Sequence, residues 1–506
     1  MNFPMIGRTL GYMILFEAAF MSPAALTAAF YREKSVIWLF VSMAICIVTG
    51  LLLVLLIKPK QKRIYAREGS VICALVWFLY SFIGALPFRL SGYIPNMIDA
   101  VFETASGFTT TGASILTDVE ALPHWLLFWR SFTHWVGGMG ILVFVMAIVP
   151  LAAGGSTMFL MKAESPGPSV KKMVPKAGQT AGLLYRMYFV LTLSELGILI
   201  ASKMPIFDSL CLTFGTAGTG GFAVLNSGCA GYPVDQQVIL TIFMILFGTN
   251  FSAYYLIVTG HAKDVLKISE VTTYFAIIAG AICLITLNIS GMYPNLGLAI
   301  KDAAFQVGSI ITTTGYSTTD FNLWPSFAKW ILILLMFCGA CAGSTGGGMK
   351  VSRIQVAVKT VIKELDNAIH PNNIRKIKYD GKVLDHAVLR GINVFIVSYF
   401  LVLGASVALI SIENMDLETN FTAVVATLNN IGPGLSKVGP AANFSAYGPF
   451  ATCVLIFDMI AGRLEILPVL VLFSVHTWKD GEFLGPSFGK ERRKSKDQDF
   501  ADDLMI

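Results

Sequence analysis

The sequence predicts an all-α polytopic membrane protein, built as two N-terminal transmembrane helices followed by four pseudo-fourfold repeats of helix, re-entrant loop and helix. Three observations carry this. Of 506 residues, 55% are hydrophobic and only 13% charged, about half the charge of a soluble domain. About ten apolar segments are long enough to cross a bilayer. Four glycine-centred stretches recur at roughly hundred-residue intervals, each between apolar segments: Thr109 to Gly112, Ala217 to Gly220, Thr312 to Gly315 and Asn429 to Gly432. Regular repetition of this kind implies one structural unit used four times.

In chain order the spans read 9–30, 36–57, 69–92, 124–150, 181–203, 234–260, 270–292, 327–360 (broken), 386–412 and 446–475. The first follows Arg8 and resembles a signal peptide, with Ala25 to Ala28 as a mock cleavage site. Its length and the span that follows at once favour an uncleaved helix. Between spans lie 97–117, 206–223, 300–318 and 416–435, too short and too polar to cross. Each has a carboxylate near its start (Asp99, Asp208, Asp302, Glu418), and some 13 residues on comes the glycine. Each reads as a short helix entering the membrane and ending where Thr/Gly backbone turns extended. The acid would stand at the helix N-terminus, as a cap or as an attractor of cations. The implied units are 1–68, the N-terminal helix pair; 69–178; 179–269; 270–385, with a broken second helix; and 386–506, which includes a tail from about 476.

Basic residues cluster after spans two (Lys58 to Arg67), four (Lys162 to Lys176), six (Lys263, Lys267), eight (Lys350 to Lys382) and ten (Lys479 to Lys494). Every other connection is basic, so that side and both termini are expected in the cytoplasm, with the four loops entering from outside. No basic tract points to nucleic acid.

Glycine-rich, non-helical backbone at membrane depth survives only where protein buries it or where it lines a wet cavity. Four such loops on one axis would form a ring of backbone carbonyls able to replace a cation's hydration shell. The candidates for this filter are Thr110, Thr111 and Gly112; Thr219 and Gly220; Thr313, Thr314 and Gly315; and Asn430, Ile431 and Gly432. The bound metal would be the transported ion on their carbonyls. The fourth stretch departs in composition, with Pro433 after its glycine, but keeps the acid and aromatic spacing. The short helices would also aim their negative C-terminal ends at the centre.

Arg463 lies within the last span, where a charge faces the bundle interior or finds a partner. It reads as a pore-facing barrier to cations, the alternative being an ion pair with Glu465 or Asp458. Gly343, Ser344, Thr345, Gly346, Gly347, Gly348 and Lys350 interrupt span eight. Met349 before Lys350 excludes a phosphate loop. Three successive glycines must break the helix, giving a gate candidate or a close helix crossing. Cys338 and Cys341 have redox or metal spacing but no further ligands nearby, so they read as structural. His124 and His134 read as interfacial, with Trp125 and Trp129 at headgroup level.

Together, Thr-Thr-Thr-Gly-Ala-Ser (109–114), Gly-Thr-Gly-Gly-Phe (218–222), Thr-Thr-Thr-Gly-Tyr-Ser (312–317), Asn-Asn-Ile-Gly-Pro-Gly-Leu (429–435), Ala-Gly-Ser-Thr-Gly-Gly-Gly-Met-Lys (342–350) and Gly-Arg-Leu-Glu-Ile (462–466) resemble the Trk/Ktr superfamily of potassium transporters. The extra N-terminal helices resemble its TrkH-type branch. The resemblance covers nearly the whole chain. It implies potassium uptake across a bacterial inner membrane, one pore per subunit and a homodimer. It also implies filter glycines at 112, 220, 315 and 432, a gating loop from Gly343 to Lys350 and a pore arginine at Arg463. No cofactor is expected in this chain; the nucleotide would sit on a separate cytosolic regulatory subunit of the TrkA kind. Two rivals stand beside a gated pathway. A symporter coupled to protons or sodium usually carries inverted repeats and mid-span acids, whereas these repeats run in one sense and the acids noted stand at loop-helix starts. An intramembrane enzyme lacks support, since neither His-Glu-x-x-His nor Gly-x-Ser-x-Gly occurs.

Overall fold

Long uninterrupted apolar stretches form the outer scaffold, and short polar-ended helices fill its centre. The computed structural model describes residues 1–59, 65–138, 140, 177–371 and 376–478. Its main helices are α1 (Phe3–Tyr31), α2 (Ile37–Leu56), α3 (Ala66–Gly84), α4 (Met97–Phe108), α5 (His124–Gly138), α6 (Ala177–Ala201), α7 (Ile206–Gly218), α8 (Val234–Phe247), α9 (Phe251–Val258), α10 (Ser269–Ile289), α11 (Leu296–Ile311), α12 (Ser326–Cys338), α13 (Val351–Ile369), α14 (His386–Ile410), α15 (Leu417–Leu428), α16 (Pro449–Arg463) and α17 (Leu467–Phe473). The one described sheet is a two-residue pairing of Lys378–Tyr379 with Lys382–Val383. Among the described residues, six helices are long and apolar enough to span a membrane, and the bent pair α8–α9 makes a seventh candidate. The protein is therefore a multi-pass membrane protein of all-α class.

Several expectations fall outside the described residues: 139 and 141–150 of span four, Lys60, Lys62, Arg63, Lys162 to Lys176, Arg375, and everything from Lys479 onward.

α1 and α2 cross at Gly11 and Gly50, where a Cβ on either would come within 3.1 Å of the other's carbonyl oxygen. Small residues permit this backbone approach. Beyond α2 the chain alternates outer helices with the four short helices α4, α7, α11 and α15. Three of these have side-chain caps: Asn96 accepts from Ile98 N–H, Asn295 from Leu298 N–H and Asp416 from Thr419 N–H. α7 instead follows Pro205 without a side-chain cap.

These caps correct one expectation. None of the four predicted acids is the capping residue. Asp99, Asp208 and Glu418 sit in the first turn, where the helix dipole favours them. Asp302 does not: α11 begins six residues earlier, at Leu296. Asp302 is instead buried, 2.6 Å from Lys301 Nζ and accepting from Thr318 Oγ1 at 2.8 Å.

Two spans read as continuous are broken. α8 and α9 meet at 92° across Gly248, Thr249 and Asn250, and Asn250 caps α9 by accepting from Ser252 N–H. The last span breaks at Glu465 and Ile466, both with positive φ, before Pro468 opens α17. The predicted break in span eight runs from Gly339 to Lys350.

The aromatic and histidine placements also change. Trp125 and Trp129 are fully buried, donating through Nε1 to Ser35 Oγ and Gly84 O. His134 is fully buried too. His124 is half-buried, stacked 3.8 Å from the Tyr31 ring beside Glu33, whose carboxylate accepts the first N–H groups of α5.

Candidate ion-conduction site

Each short helix ends in the same backbone turn. At its end comes one residue in the left-handed region: Thr110 (φ 56°), Thr219 (56°), Thr313 (60°) and Asn430 (55°). Two residues later comes a glycine with positive φ: Gly112 (81°), Gly221 (80°), Gly315 (84°) and Gly432 (94°). The hydrogen bonds repeat with it. Thr110, Thr219, Thr313 and Asn430 donate to Gly107, Thr216, Ile310 and Thr427, while the next residue donates to Ser106, Gly215, Ser309 and Ala426. A left-handed β-branched residue costs roughly 1–2 kcal/mol. Such strain persists only where the surroundings over-determine it, and here it recurs at three threonines.

The four turns close on one another. A Cβ on Gly112 would strike Gly220 O; on Gly221, Thr314 O; on Gly315, Ile431 O. A Cβ on Gly432 would lie 2.9 Å from Thr111 O, which returns to the first loop. Each glycine thus lets its loop press against the neighbouring carbonyl, in the cyclic order first, second, third, fourth, first. All four glycines line one polar cavity of about 170 Å³ at the mouth.

This backbone register corrects the second loop. Gly220, read as the partner of Gly112, Gly315 and Gly432, occupies the position of Thr111, Thr314 and Ile431. The equivalent glycine is Gly221, which the sequence reading placed in the 218–222 motif but did not choose as the filter glycine. Gly220 lacks a side chain for a different reason: the buried His134 ring fills the space its Cβ would need. The two glycines should therefore respond differently. Gly220→Ala is expected to be partly rescued by His134→Ala, with a coupling of about 0.5–3 kcal/mol. Gly221→Ala, which meets backbone and a left-handed φ, should gain nothing from the same change. Ion flux through the two double variants, each set against its single variants, checks this.

The loops are held from behind. Hydroxyls of Thr109 and Thr111, and of Thr312 and Thr314, lie 2.8 Å apart. Asn430 Nδ2 donates to Thr111 Oγ1 (2.9 Å) and Met459 O (2.8 Å), tying the fourth loop to the first. At the rim of the mouth Asn226 Nδ2 donates to Asp118 Oδ1 at 2.8 Å and holds that carboxyl below the usual range.

On the opposite side of the ring from this cavity, the segment between α12 and α13 lies directly against the third and fourth loops. Gly347 N–H donates to Thr313 Oγ1 at 2.6 Å, and a Cβ on Gly346 would be 2.8 Å from Thr312 O. Gly339, Gly343, Gly348 and Lys350 all have positive φ. Lys350 Nζ folds back onto Gly346 O. The α8–α9 break receives the segment: Cys341 N–H donates to Gly248 O and Phe251 N–H to Gly343 O, both at 3.1 Å. Glu270 holds both ends, accepting from Ala342 N–H (2.6 Å) and Ser352 N–H (3.2 Å). Both donate to Oε1, while Asn250 Nδ2 donates to Oε2 at 3.2 Å, so Glu270→Gln, with one acceptor oxygen, sets an NH2 group against one of these donor sets. It should lower stability by about 1–3 kcal/mol, seen as a lower melting temperature in detergent.

Arg463 ends α16 and bridges across the centre. It donates to Thr345 O (2.8 Å) in this segment and to Gly137 O (2.5 Å) and Gly138 O (2.6 Å) at the end of α5. The two carboxylates weighed as its partners are engaged elsewhere: Glu465 with Arg353, and Asp458 by accepting from Ser406 Oγ at 2.6 Å. Cys338 and Cys341 are buried free thiols, and no cluster of metal-ligating side chains occurs among the described residues.

Besides the four acids at the loop helices, three acids stand within spanning or core helices. Glu17, Glu195 and Asp458 are fully buried within α1, α6 and α16. Each is a single acid in an apolar run, which was the signal available. Glu270 and the α8–α9 break were missed too, although Gly248-Thr249-Asn250 has the form of a stop followed by a cap.

A profile of the TrkH family, described as a cation transport protein, matches residues 35–481. The chain belongs to the TrkH family. This TrkH-family chain is 35% identical over 491 residues to the Trk system potassium uptake protein TrkH of Escherichia coli strain K12, covering 95% of this chain and all of that protein. It is 31% identical over 477 residues to the Trk system potassium uptake protein TrkG of the same strain, covering 93% and 97%. Its fold matches the crystal structure of the potassium transporter TrkH from Vibrio parahaemolyticus with a TM-score of 0.84, at 30% identity and covering 95% of this chain and all of that one. TrkH-family membership makes the chain a transport protein and not an enzyme.

Proposed function

We propose that this chain takes up potassium through a gated pathway whose selectivity filter is the ring of four loops. The observation that carries the reading is the cyclic contact of Gly112, Gly221, Gly315 and Gly432 with the next loop's backbone. Carbonyls held this way can replace the hydration shell of an alkali cation without a fixed charge to trap it. Thr110, Thr111, Thr219, Gly220, Thr313, Thr314, Asn430 and Ile431 supply the rest of the filter backbone. The names of the relatives, potassium uptake proteins and a potassium transporter, support potassium as the cargo.

Gly343 to Lys350 is the gate, pressed against the filter and pinned by Arg463. While Arg463 bridges Thr345 O to Gly137 O and Gly138 O, a guanidinium and a backbone segment stand across the route. Opening requires the segment to leave. We place the protein in a bacterial inner membrane with both termini cytoplasmic, as a homodimer joined to a cytosolic nucleotide-binding subunit of the TrkA kind. The 69–178, 179–269, 270–385 and 386–506 units are its four repeats.

Rubidium flux through the purified protein in liposomes, with and without a nucleotide-loaded regulatory subunit, tests this. Expected is saturable rubidium entry that competing potassium suppresses far more than sodium. A fixed stoichiometry with protons or sodium would instead favour symport, and no flux in any state would end the transport reading.

A further inference from the structure

The filter ring is not uniformly supported. Behind its first seam stands a charged brace. Glu103 in α4 and Arg130 in α5 are buried, with side-chain exposures of 0% and 3%, and Arg130 Nε lies 2.5 Å from Glu103 Oε1. Glu103 also accepts from Ser114 Oγ (3.1 Å) and Ile115 N–H (3.0 Å), the second and third residues after Gly112. Arg130 reaches the second loop: NH1 donates to Ala223 O at 3.0 Å, two residues after Gly221, and the guanidinium lies 3.5 Å over the Phe222 ring.

One turn further along α5, His134 makes a parallel strut. The carbonyl of Gly107 can only accept, so His134 Nδ1 donates to it at 2.8 Å. Nε2 is then left to accept from Phe222 N–H at 3.3 Å. Two side chains of one helix therefore join the first unit to the exit of the second loop, Arg130 through Glu103 to the first loop's exit and His134 to the end of α4.

The third unit has a partial counterpart, the Lys301–Asp302 pair, with Thr318 Oγ1 donating to Asp302 and Lys301 Nζ donating to Gln237 Oε1 of α8, but among the described residues no arginine joins two loop exits there. Glu103 stands seven residues before the left-handed Thr110, and the matching positions are Leu212, Gln306 and Ala423. Between the loop exits themselves, the remaining seams carry neutral hydrogen bonds: Cys229 N–H to Ser317 O, Ser436 N–H to Asn322 Oδ1 and Phe444 N–H to Ser114 O, each at 2.9 Å. A buried ion pair adds little net stability over an apolar pair of similar size. A planar guanidinium with its donors in a fixed fork does fix distances and angles, which a lysine cannot copy.

We propose that Arg130, locked between Glu103 and the Phe222–Ala223 backbone, is a positioning residue that sets the spacing of the first and second filter loops and so the discrimination of potassium from sodium. The inference rests on the filter reading above. In it, Arg130 never contacts the ion. It acts through the placement of Gly112 and Gly221, and Glu103 offsets its charge at the mouth cavity, which Arg130 lines.

The test is the rubidium-to-sodium flux ratio of the full-length protein in liposomes. Arg130→Lys keeps the charge and loses the fork; Phe222→Leu keeps the fork and loses the aromatic face. Both are expected to fold, to carry rubidium and to lower the ratio by about tenfold, equivalent to roughly 1.4 kcal/mol. Gly315→Ser, at the opposite seam, separates the two claims. If it lowers the ratio while Arg130→Lys and Phe222→Leu keep the wild-type value, the brace proposal is overturned and the filter stands. If all three leave the ratio unchanged, the filter reading falls, and the brace with it. Failure of both brace variants to fold would assign the pair a purely structural role and overturn the proposal as well.

Discussion

Gly315→Ser is expected to cut the preference for rubidium over sodium by about tenfold, roughly 1.4 kcal/mol, while leaving a conducting protein. Gly315 has φ 84°, and its missing side chain leaves room for Ile431 O, with Pro433 Cδ 3.0 Å from where a Cβ would sit. A serine must move one of these. Holding a non-glycine residue in such a conformation costs roughly 1–3 kcal/mol, so the loop is expected to relax outward and widen the third seam. A wider ring no longer holds its carbonyls at the distance that replaces potassium's hydration shell, so potassium loses its advantage over sodium. The measurement is competitive flux of rubidium and sodium in liposomes. Wild-type selectivity in the variant would remove Gly315 from the filter.

Arg463→Ala is expected to raise basal rubidium flux by about tenfold or more in the absence of any regulatory subunit. The side chain makes three hydrogen bonds to backbone carbonyls that belong to two different repeats. Hydrogen bonds to a charged group contribute roughly 1.5–3 kcal/mol each. Losing even one from the closed state alone shifts the gate equilibrium by about that amount, and 1.4 kcal/mol is already tenfold. Removing the guanidinium also takes a positive charge off the route of a cation. Loss of folded protein without increased flux would instead make Arg463 a structural tie between α5, α16 and the segment below the filter.

How far the site could be read from residues alone depends on what kind of signal each position carries. Gly112, Gly315 and Gly432 were legible because each has no adjacent glycine in its Thr- or Asn-rich turn and follows an acid by 13 or 14 residues. The second loop has two adjacent glycines, and composition does not say which one takes positive φ. That is decided by the Thr314 carbonyl beside Gly221 and the His134 ring beside Gly220, two neighbours distant in sequence. The break in span eight announced itself through three consecutive glycines. The break at Glu465 and Ile466 did not, since neither residue favours a left-handed conformation; only Pro468 hinted at it. Arg463 was recognisable as an intramembrane charge, but its partners are carbonyls, which no sequence displays. The Glu103–Arg130 pair is the same lesson in reverse. Each residue was visible, 27 positions apart, and only the packing of α4 on α5 brings them together.

The central claim is that backbone oxygens of four loops surround a dehydrated alkali cation. Anomalous diffraction from crystals grown in rubidium addresses it most directly. The account predicts rubidium peaks on the axis enclosed by Gly112, Gly221, Gly315 and Gly432, displaced by potassium and absent in sodium. Peaks confined to other regions of the protein, or equal occupancy by sodium on that axis, would contradict it.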